Sequence, residues 1–342
     1  MENFNVLDLF CGCGGISLGF SLVGCKIVGG VDFDKAAIET FKHNFPDALG
    51  LCTDINTIDN DFIKNNFSDV DIIIGGPPCQ GFSSANRWQK EIDDVRNKLF
   101  FQYIRFIEII KPKAFLIENV KEILTKDNGY AKDRILEITS SLGYDVSFNI
   151  LLASDYGVPQ KRRRAFFVGV RKDMNKKFDF NNLLKTEEVV SVVDAIGDLC
   201  GVRDSKSSTF LQYANNSTEI LNHEIKYPNE KVIERIKCVP QGGNWKDVPS
   251  YLWETQRDNR HSSAYRRLDF KEPSITIDTG HMNYFHPVEN RVPTVRESAR
   301  LQSFPDSFVF KGTQTQQYRQ VGNAVPPLLS RAIANELLKL IK

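Results

Sequence analysis

Short apolar runs alternate with stretches of helical spacing through the first half of the chain, and the alternation stops near residue 172. Val6-Leu7-Asp8-Leu9-Phe10 reads as a strand, followed by the glycine turn Gly12-Cys13-Gly14-Gly15 and an apolar helix over 16–23. Residues 26–31 read as a second strand, 36–45 as an amphipathic helix stopped by Pro46, and 49–52 as a short third strand. Val70-Asp71-Ile72-Ile73-Ile74 is a fourth, apolar enough to be buried on both faces. Helical spacing over 99–110, a stop at Lys111-Pro112 and a strand at 114–117 follow. A helix near 131–141 and strands at 146–152 and 165–170 extend the series. Strands separated by helices predict an α/β fold: a doubly wound, mostly parallel sheet with right-handed crossovers.

Beyond Lys172 the period dissolves. Polar, aromatic and charged residues mix over 175–260, too long a stretch for one loop inside a compact domain. A second, smaller domain of irregular and β structure is expected there. Leu328, Leu329, Ile333, Leu337 and Leu340 restore helical spacing near the end, and so apolar a helix should dock on the first domain. The expected division is 1–185 with 315–342, and 186–314.

Composition narrows the field. Hydrophobic content of 41% with 25% charged residues is that of a soluble globular protein, and 342 residues allow a large domain and a smaller one. Lys and Arg (44) nearly cancel Asp and Glu (43), so a nucleic-acid partner must meet a local basic face. Seven cysteines at irregular spacing predict free thiols in a reducing compartment. Cys11 and Cys13 are too close for a CxxC clip and the five histidines do not cluster with them, so no metal is expected. The start, Met1-Glu2-Asn3-Phe4-Asn5, lacks a basic leader, and no run of ~18 apolar residues occurs. A cytoplasmic protein without a membrane partner is expected.

Two turns carry the candidate chemistry. In Phe10-Cys11-Gly12-Cys13-Gly14-Gly15 the glycines permit positive φ and close approach of a ligand. Asp32 ends the second strand about 20 residues on, where a carboxylate can accept from ribose hydroxyls. Asp54 ends the third and could accept from an adenine amine, with Phe33 covering the ring. A bland tight turn is the alternative. Ser17 stands where pyrophosphate binders place a third glycine, which favours S-adenosylmethionine over NAD.

The second turn is Gly75-Gly76-Pro77-Pro78-Cys79-Gln80-Gly81-Phe82-Ser83, which presents a thiol at the carboxyl end of a strand. A thiolate can add to a ring carbon and make its neighbour nucleophilic, given an acid near the ring nitrogen and a donor near the ring oxygen. Glu118, in Ile117-Glu118-Asn119-Val120, and Arg164, in Gln160-Lys161-Arg162-Arg163-Arg164, suit those tasks. As residues alone, Glu118 also fits a helix cap and the arginines a phosphate patch.

Six blocks stand in order: Asp8 to Gly15, Pro77-Pro78-Cys79-Gln80, Glu118-Asn119-Val120, Gln160 to Arg164, Arg296 to Pro305, and Gly322-Asn323-Ala324-Val325-Pro326-Pro327. Together they resemble the bacterial cytosine-C5 DNA methyltransferases of restriction-modification systems, almost end to end. The resemblance implies a Rossmann-like methyltransferase fold with a target-recognition domain. It implies S-adenosylmethionine as donor, leaving S-adenosylhomocysteine, in a pocket of Phe10, Gly12, Gly14, Asp32, Phe33, Asp54, Ile55, Gly76, Pro78, Leu99, Asn323 and Val325. It further implies that Cys79 attacks C6 of cytosine, with Glu118 at N3 and the exocyclic amine and Arg164 at O2. Arg162 would steady the cysteine loop or touch the flipped nucleotide's phosphates. Cys11 and Cys13 depart mildly from the small or apolar residues commoner in the first block.

The target carbon is inaccessible within a duplex, so the base must be rotated out. The polar stretch 80–98 reads as a lid over it, with Gln80, Ser83 and Arg87 meeting the DNA. Gln212, Tyr213, Asn222, His223, Lys226, Gln241, Asn244, Trp245, Arg257 and Arg260 are of the types that read base edges, though each fits fold support as well. The implied partners are double-stranded DNA and an independently acting restriction endonuclease, for a monomer associated with the nucleoid. Three other readings compete. A tRNA-modifying relative would carry a Cys-Phe-Thr tripeptide, which is absent; a non-catalytic relative would lack the thiol or the pocket; a dehydrogenase would want the third glycine.

Overall fold

A computed structural model describes residues 4–78, 98–201, 209–253, 265–280 and 283–342. The chain divides into two compact units, the first comprising Met1–Leu152, Arg163–Lys185 and Pro327–Lys342, the second Ala153–Arg162 and Thr186–Pro326.

The first unit is a seven-stranded sheet. In chain order its elements are β1 (Asn5–Leu9), α1 (Gly15–Ser21), β2 (Lys26–Asp32), α2 (Lys35–Asn44), β3 (Leu49–Cys52), α3 (Asn60–Phe67), β4 (Ile72–Gly75), α4 (Lys98–Ile110), β5 (Ala114–Val120), α5 (Tyr130–Ser141), β6 (Tyr144–Leu152) and β7 (Arg163–Arg171). The strand order is β3-β2-β1-β4-β5-β7-β6, parallel except for β7, which runs antiparallel to both neighbours. The central strands are apolar because both faces are covered. Leu7, Leu9 and Ile73 pack with Ile63, Phe67, Phe100 and Phe106 on one face, each such burial being worth roughly 1.5–3 kcal/mol. Tyr103 is fully buried in α4 and donates its hydroxyl hydrogen toward the carbonyls of Ile73 and Leu116, tying that helix to β4 and β5.

The opposite face is closed by the end of the sequence. Helix α11 (Pro327–Ile341) packs on α1 so tightly that a Cβ at Gly19 would lie 2.0 Å from Ser330 Oγ and 2.6 Å from the Arg331 nitrogen. The predicted terminal helix therefore docks where expected, on the first unit.

The second unit has little regular structure: helices α6 (Val192–Ile196), α7 (Thr209–Ala214), α8 (Glu230–Lys237), α9 (Val295–Leu301) and α10 (Gln314–Asn323), and the two-residue parallel pair β8 (Arg266–Arg267) and β9 (Tyr284–Phe285). Its core mixes aromatics with buried charge. Phe304, Phe308 and Phe310 cluster with centroids 4.8–5.2 Å apart. Beside them Arg300 forms a two-bond pair with Asp306, while Arg296 donates to the carbonyls of Pro305 and Phe308. Arg291 meets Glu297 through two bonds of 2.7 and 2.8 Å. These groups are buried yet fully engaged, which is what allows the charge to stay in the interior.

Residues 153–162 and 315–326 group with this unit rather than with the sheet. The reason is visible in the bonding. Gln160 donates to Leu301 O and accepts from Ile277 N, and a Cβ at Gly322 would lie 2.5 Å from the Asp278 backbone.

Candidate active site

Strands β2 and β3 lie to one side of β1, and β4 and β5 to the other. The loops leaving β1 and β4 therefore start side by side where the strand order reverses, the usual ligand position of such sheets.

After β1 the backbone turns sharply. Phe10 takes φ 61°, Gly12 φ 53° and Gly14 φ 97°, a conformation that costs a residue such as Phe10 on the order of 1–2 kcal/mol. Beside Gly12 there is open space, with no atom of the described residues other than its chain neighbours within 4 Å of where a Cβ would sit, whereas at Gly14 a Cβ would meet the Phe45 ring at 2.6 Å. Asp32 closes the turn: its Oδ2 accepts from Gly12 N and its Oδ1 from Asp34 N, both at 2.9 Å. Burial raises the Asp32 carboxyl, against the lowering effect of those two amides. Each oxygen keeps lone-pair capacity for a further donor. The neighbouring Phe33 is 80% exposed, an uncovered aromatic ring directly after this carboxylate.

Asp54 caps the 3-10 turn Ile55–Thr57; its Oδ1 accepts from Asn56 N at 3.0 Å and Asn56 Nδ2 at 2.7 Å. Ile55 is buried in the core and Leu99 half-buried against it at the start of α4. An open glycine cradle, a carboxylate bonded to it, an uncovered aromatic and a second, exposed carboxylate suit a nucleoside bearing an amine. These residues fit S-adenosylmethionine.

Beneath the turn lies a pair that the sequence did not announce. Ser17, buried, donates to Asp8 Oδ2 at 2.5 Å, and burial pushes the Asp8 carboxyl up to about 7. Burial also drives the thiols of Cys11 (well above its ordinary value) and Cys13 (to about 12) away from ionisation, so neither is suited to attack.

The second constellation forms at the ends of β5 and β7. Val120 stands opposite Arg164 and Glu118 opposite Phe166 in their register. Arg164 Nε reaches Glu118 Oε1 at 3.0 Å, both side chains mostly buried. Among the described residues no side chain, Glu118 included, caps the short turn that follows β5. The backbone leaving β4 runs directly past this pair: a Cβ on Gly76 would lie 3.0 Å from Glu118 Oε2. Asn119 Nδ2 donates to Pro77 O at 3.0 Å, fixing the loop one residue before the exposed Pro78. Asn119 is quoted in the sequence block yet received no role there; its amide is what holds the two blocks together. Cys79, Gln80, Ser83 and Arg87 lie outside the described residues, as do Arg257 and Arg260.

Other expected residues fall in the second unit. Arg162 is buried and donates to the carbonyls of Ile277 (3.2 Å) and Gly322 (3.0 Å). Asn323 ends α10 exposed, and Val325 is buried. Among the possible base readers, Tyr213 donates to Ser303 O, Asn222 bonds both backbone groups of Phe310, His223 meets Thr294 Oγ1, and Asn244 caps a 3-10 turn. These four carry fold-supporting bonds, while Lys226 is exposed.

A family model described as C-5 cytosine-specific DNA methylase matches residues 4–339. The Type II methyltransferase M1.HphI of Haemophilus parahaemolyticus is 39% identical over 337 residues, covering 98% of this chain and 86% of its own. M.DdeI of Desulfomicrobium norvegicum, likewise a Type II methyltransferase, is 37% identical over 369 residues, covering 97% and 88%. Among solved structures, a candidate DNA modification methyltransferase encoded within an Escherichia coli prophage superposes with a TM-score of 0.81 at 29% identity, covering 99% of each chain. A DNMT2 mutant from Spodoptera frugiperda, at 19% identity and a TM-score of 0.64, shares the fold.

Proposed function

The chain belongs to the C-5 cytosine-specific DNA methylases, and from that premise we propose that it is the sequence-specific modification enzyme of a Type II restriction-modification system. It acts on a cytosine flipped out of double-stranded DNA, through a transient bond from Cys79. One observation carries the reading: the Glu118–Arg164 pair closes beside Gly76, three residues before that thiol.

In the proposed reaction the Cys79 thiolate adds to C6 of the base. The C5–C6 electron pair shifts into the ring, Glu118 supplies a proton at N3, and Arg164 donates to O2, so the negative charge developing in the ring is neutralised. C5, now electron-rich, gains the methyl group. A base takes the C5 proton, its electron pair re-forms the C5–C6 double bond, the C6–S bond breaks to release the Cys79 thiolate, and N3 returns its proton to Glu118. Bound S-adenosylmethionine supplies the electrophilic methyl group on its sulfonium. Within the first unit Phe10, Gly12, Asp32, Phe33, Asp54, Ile55 and Leu99 would hold that donor. Arg162, bonded to two carbonyls, supports the backbone rather than touching the base.

The test is trapping. Duplexes carrying 5-fluorocytosine cannot lose a proton from C5, so with donor present they should stay bonded to the protein, and peptide mass mapping should find the link at Cys79. Cys79→Ala should bind donor and form no adduct. Methylation of ordinary DNA without any trapped species would sink the covalent route.

Target choice is assigned to the second unit, chiefly 186–265, where Tyr227 and Tyr251 are 62% and 82% exposed and Lys226 is exposed beside Tyr227. Exchanging that stretch for a relative's should move the methylated context in bisulfite sequencing; a folded chimera with an unmoved target removes the assignment. The reading brings with it an independent endonuclease cut off by the same mark, and work in the cytoplasm on the nucleoid. Among the described residues no helix is long and apolar enough to cross a membrane.

A further inference from the structure

We propose that Arg105, on α4, is a positioning residue for adenine recognition: its guanidinium fixes the turn from which Asp54 reads the base. This rests on the reading of Asp54 as the adenine acceptor.

The hydrogen bonds made within the turn are all local. The Asp54 carboxylate accepts from Asn56, two residues away, and the Asp54 carbonyl from Thr57, and the segment makes a single 3-10 turn before α3 begins at Asn60. Arg105 spans both ends. Nη2 donates to the Ile55 carbonyl at 3.1 Å, the residue directly after Asp54, and Nη1 donates to Asn60 Oδ1 at 2.8 Å. A planar fork with two fixed donor directions locks orientation as well as distance, which a single ammonium cannot do.

The fork is itself anchored. Its helix is fastened to the middle of the sheet by Tyr103, whose hydroxyl reaches β4 and β5. Through Arg105 the Asp54 turn is therefore referenced to the same strands that launch the catalytic loops. The arrangement also costs something. Arg105 Nε is buried without a hydrogen-bond partner among the described residues, and burial lowers the guanidinium's affinity for its proton, offset in part by Asp59. An arginine that merely decorated a helix surface would keep all its donors in water.

The experiment measures binding to the full chain by calorimetry, using S-adenosylhomocysteine and its 6-oxo analogue S-inosylhomocysteine. In the analogue the amine that Asp54 accepts from is replaced by a carbonyl. Wild type should prefer the adenosyl compound by about tenfold or more, one hydrogen bond's worth, and Asp54→Ala should erase the preference. Arg105→Ala should weaken the adenosyl compound by about tenfold and bring the preference close to that of Asp54→Ala. Arg105→Lys, keeping charge and one bond, should recover part of it. A merely structural role would weaken both compounds equally and leave their ratio as in wild type, which overturns the inference. If Arg105→Ala does not fold, Arg105→Lys and Asn60→Ala decide by the same ratio. A wild type that does not distinguish the two compounds overturns the Asp54 reading, a result separable from an unaffected ratio in the Arg105 variants.

Discussion

Gly76 shows how little space the catalytic pair leaves. A methyl group there would stand 3.0 Å from Glu118 Oε2, tight enough that the carboxylate must give way, and Glu118 is already held by Arg164 on its other oxygen. Gly76→Ala should therefore displace the carboxylate by a few tenths of an ångström while leaving the strand intact. Single-turnover methylation is expected to fall roughly ten- to a hundredfold with little change in melting temperature. An unchanged single-turnover rate would show that Glu118 has no exacting position. The adjacent Gly75 has a different reason to be glycine, since its Cβ would lie 2.0 Å from the Leu9 carbonyl oxygen and force β1 and β4 apart. Two neighbouring glycines thus serve chemistry and sheet separately. The positions of this site were legible where they stood at a strand end: Asp32, Asp54, Glu118 and Arg164 all lie where a turn or strand end was anticipated. Ser17, Asn119 and Arg105 were not, because what each does depends on a partner 9, 42 or 50 residues distant, a separation that no local pattern carries.

Elements were readable in proportion to how one-sided or how wholly apolar they are. The run Ile72-Ile73-Ile74 could hardly be anything but a buried strand, and α4 shows its buried face at Phe100, Tyr103, Ile104 and Ile107 with clean helical spacing. Helix α3 was passed over. Its sequence, Asn60-Asp61-Phe62-Ile63-Lys64-Asn65-Asn66-Phe67, is poor in helix formers, and it is held by the Asp59 cap and by burial of only Ile63 and Phe67. The return of β7 antiparallel between β5 and β6 was also beyond a linear reading, since strand direction depends on the ten-residue excursion 153–162. In the second unit the short helices lack a period for a physical reason. Where a core is stitched by Arg267, Arg291, Arg296 and Arg300 to carbonyls and carboxylates, polarity no longer marks the outside.

At the scale of the whole molecule, the two units should answer acid in opposite senses. His286 is buried in the second unit, where burial first and the nearby Arg291 next hold its ring down to about 4, against an ordinary 6.5. Between those values the unfolded chain takes up a proton that the fold refuses, so this unit loses stability as pH falls from 6.5 towards 4. Glu289 adds to the loss below about 4.5, because its bond to Arg291 holds its carboxyl down at about 2. Asp8 works the other way. Its carboxyl titrates near 7 in the fold and near 3.8 in an unfolded chain, so the first unit loses stability as pH rises through that interval. Hydrogen exchange, corrected for intrinsic rates, should show amides around β9 better protected at pH 7.5 than at pH 5, and those around β1 the reverse. His286→Gln should flatten the first trend and Asp8→Asn the second; parallel responses in wild type would contradict both assignments.

The seating of α11 on α1 has a bearing on the protein's birth. Gly15 and Ser330, joined by a hydrogen bond, lie 315 residues apart, so a ribosome builds α1 long before its cover and this face of the sheet stays bare until α11 has emerged. Nascent chains stalled earlier expose the floor of the glycine turn to water. Helix α1, which follows the glycine turn, thus stays uncovered until α11 is in place, so completion of this unit waits on a segment far along the chain.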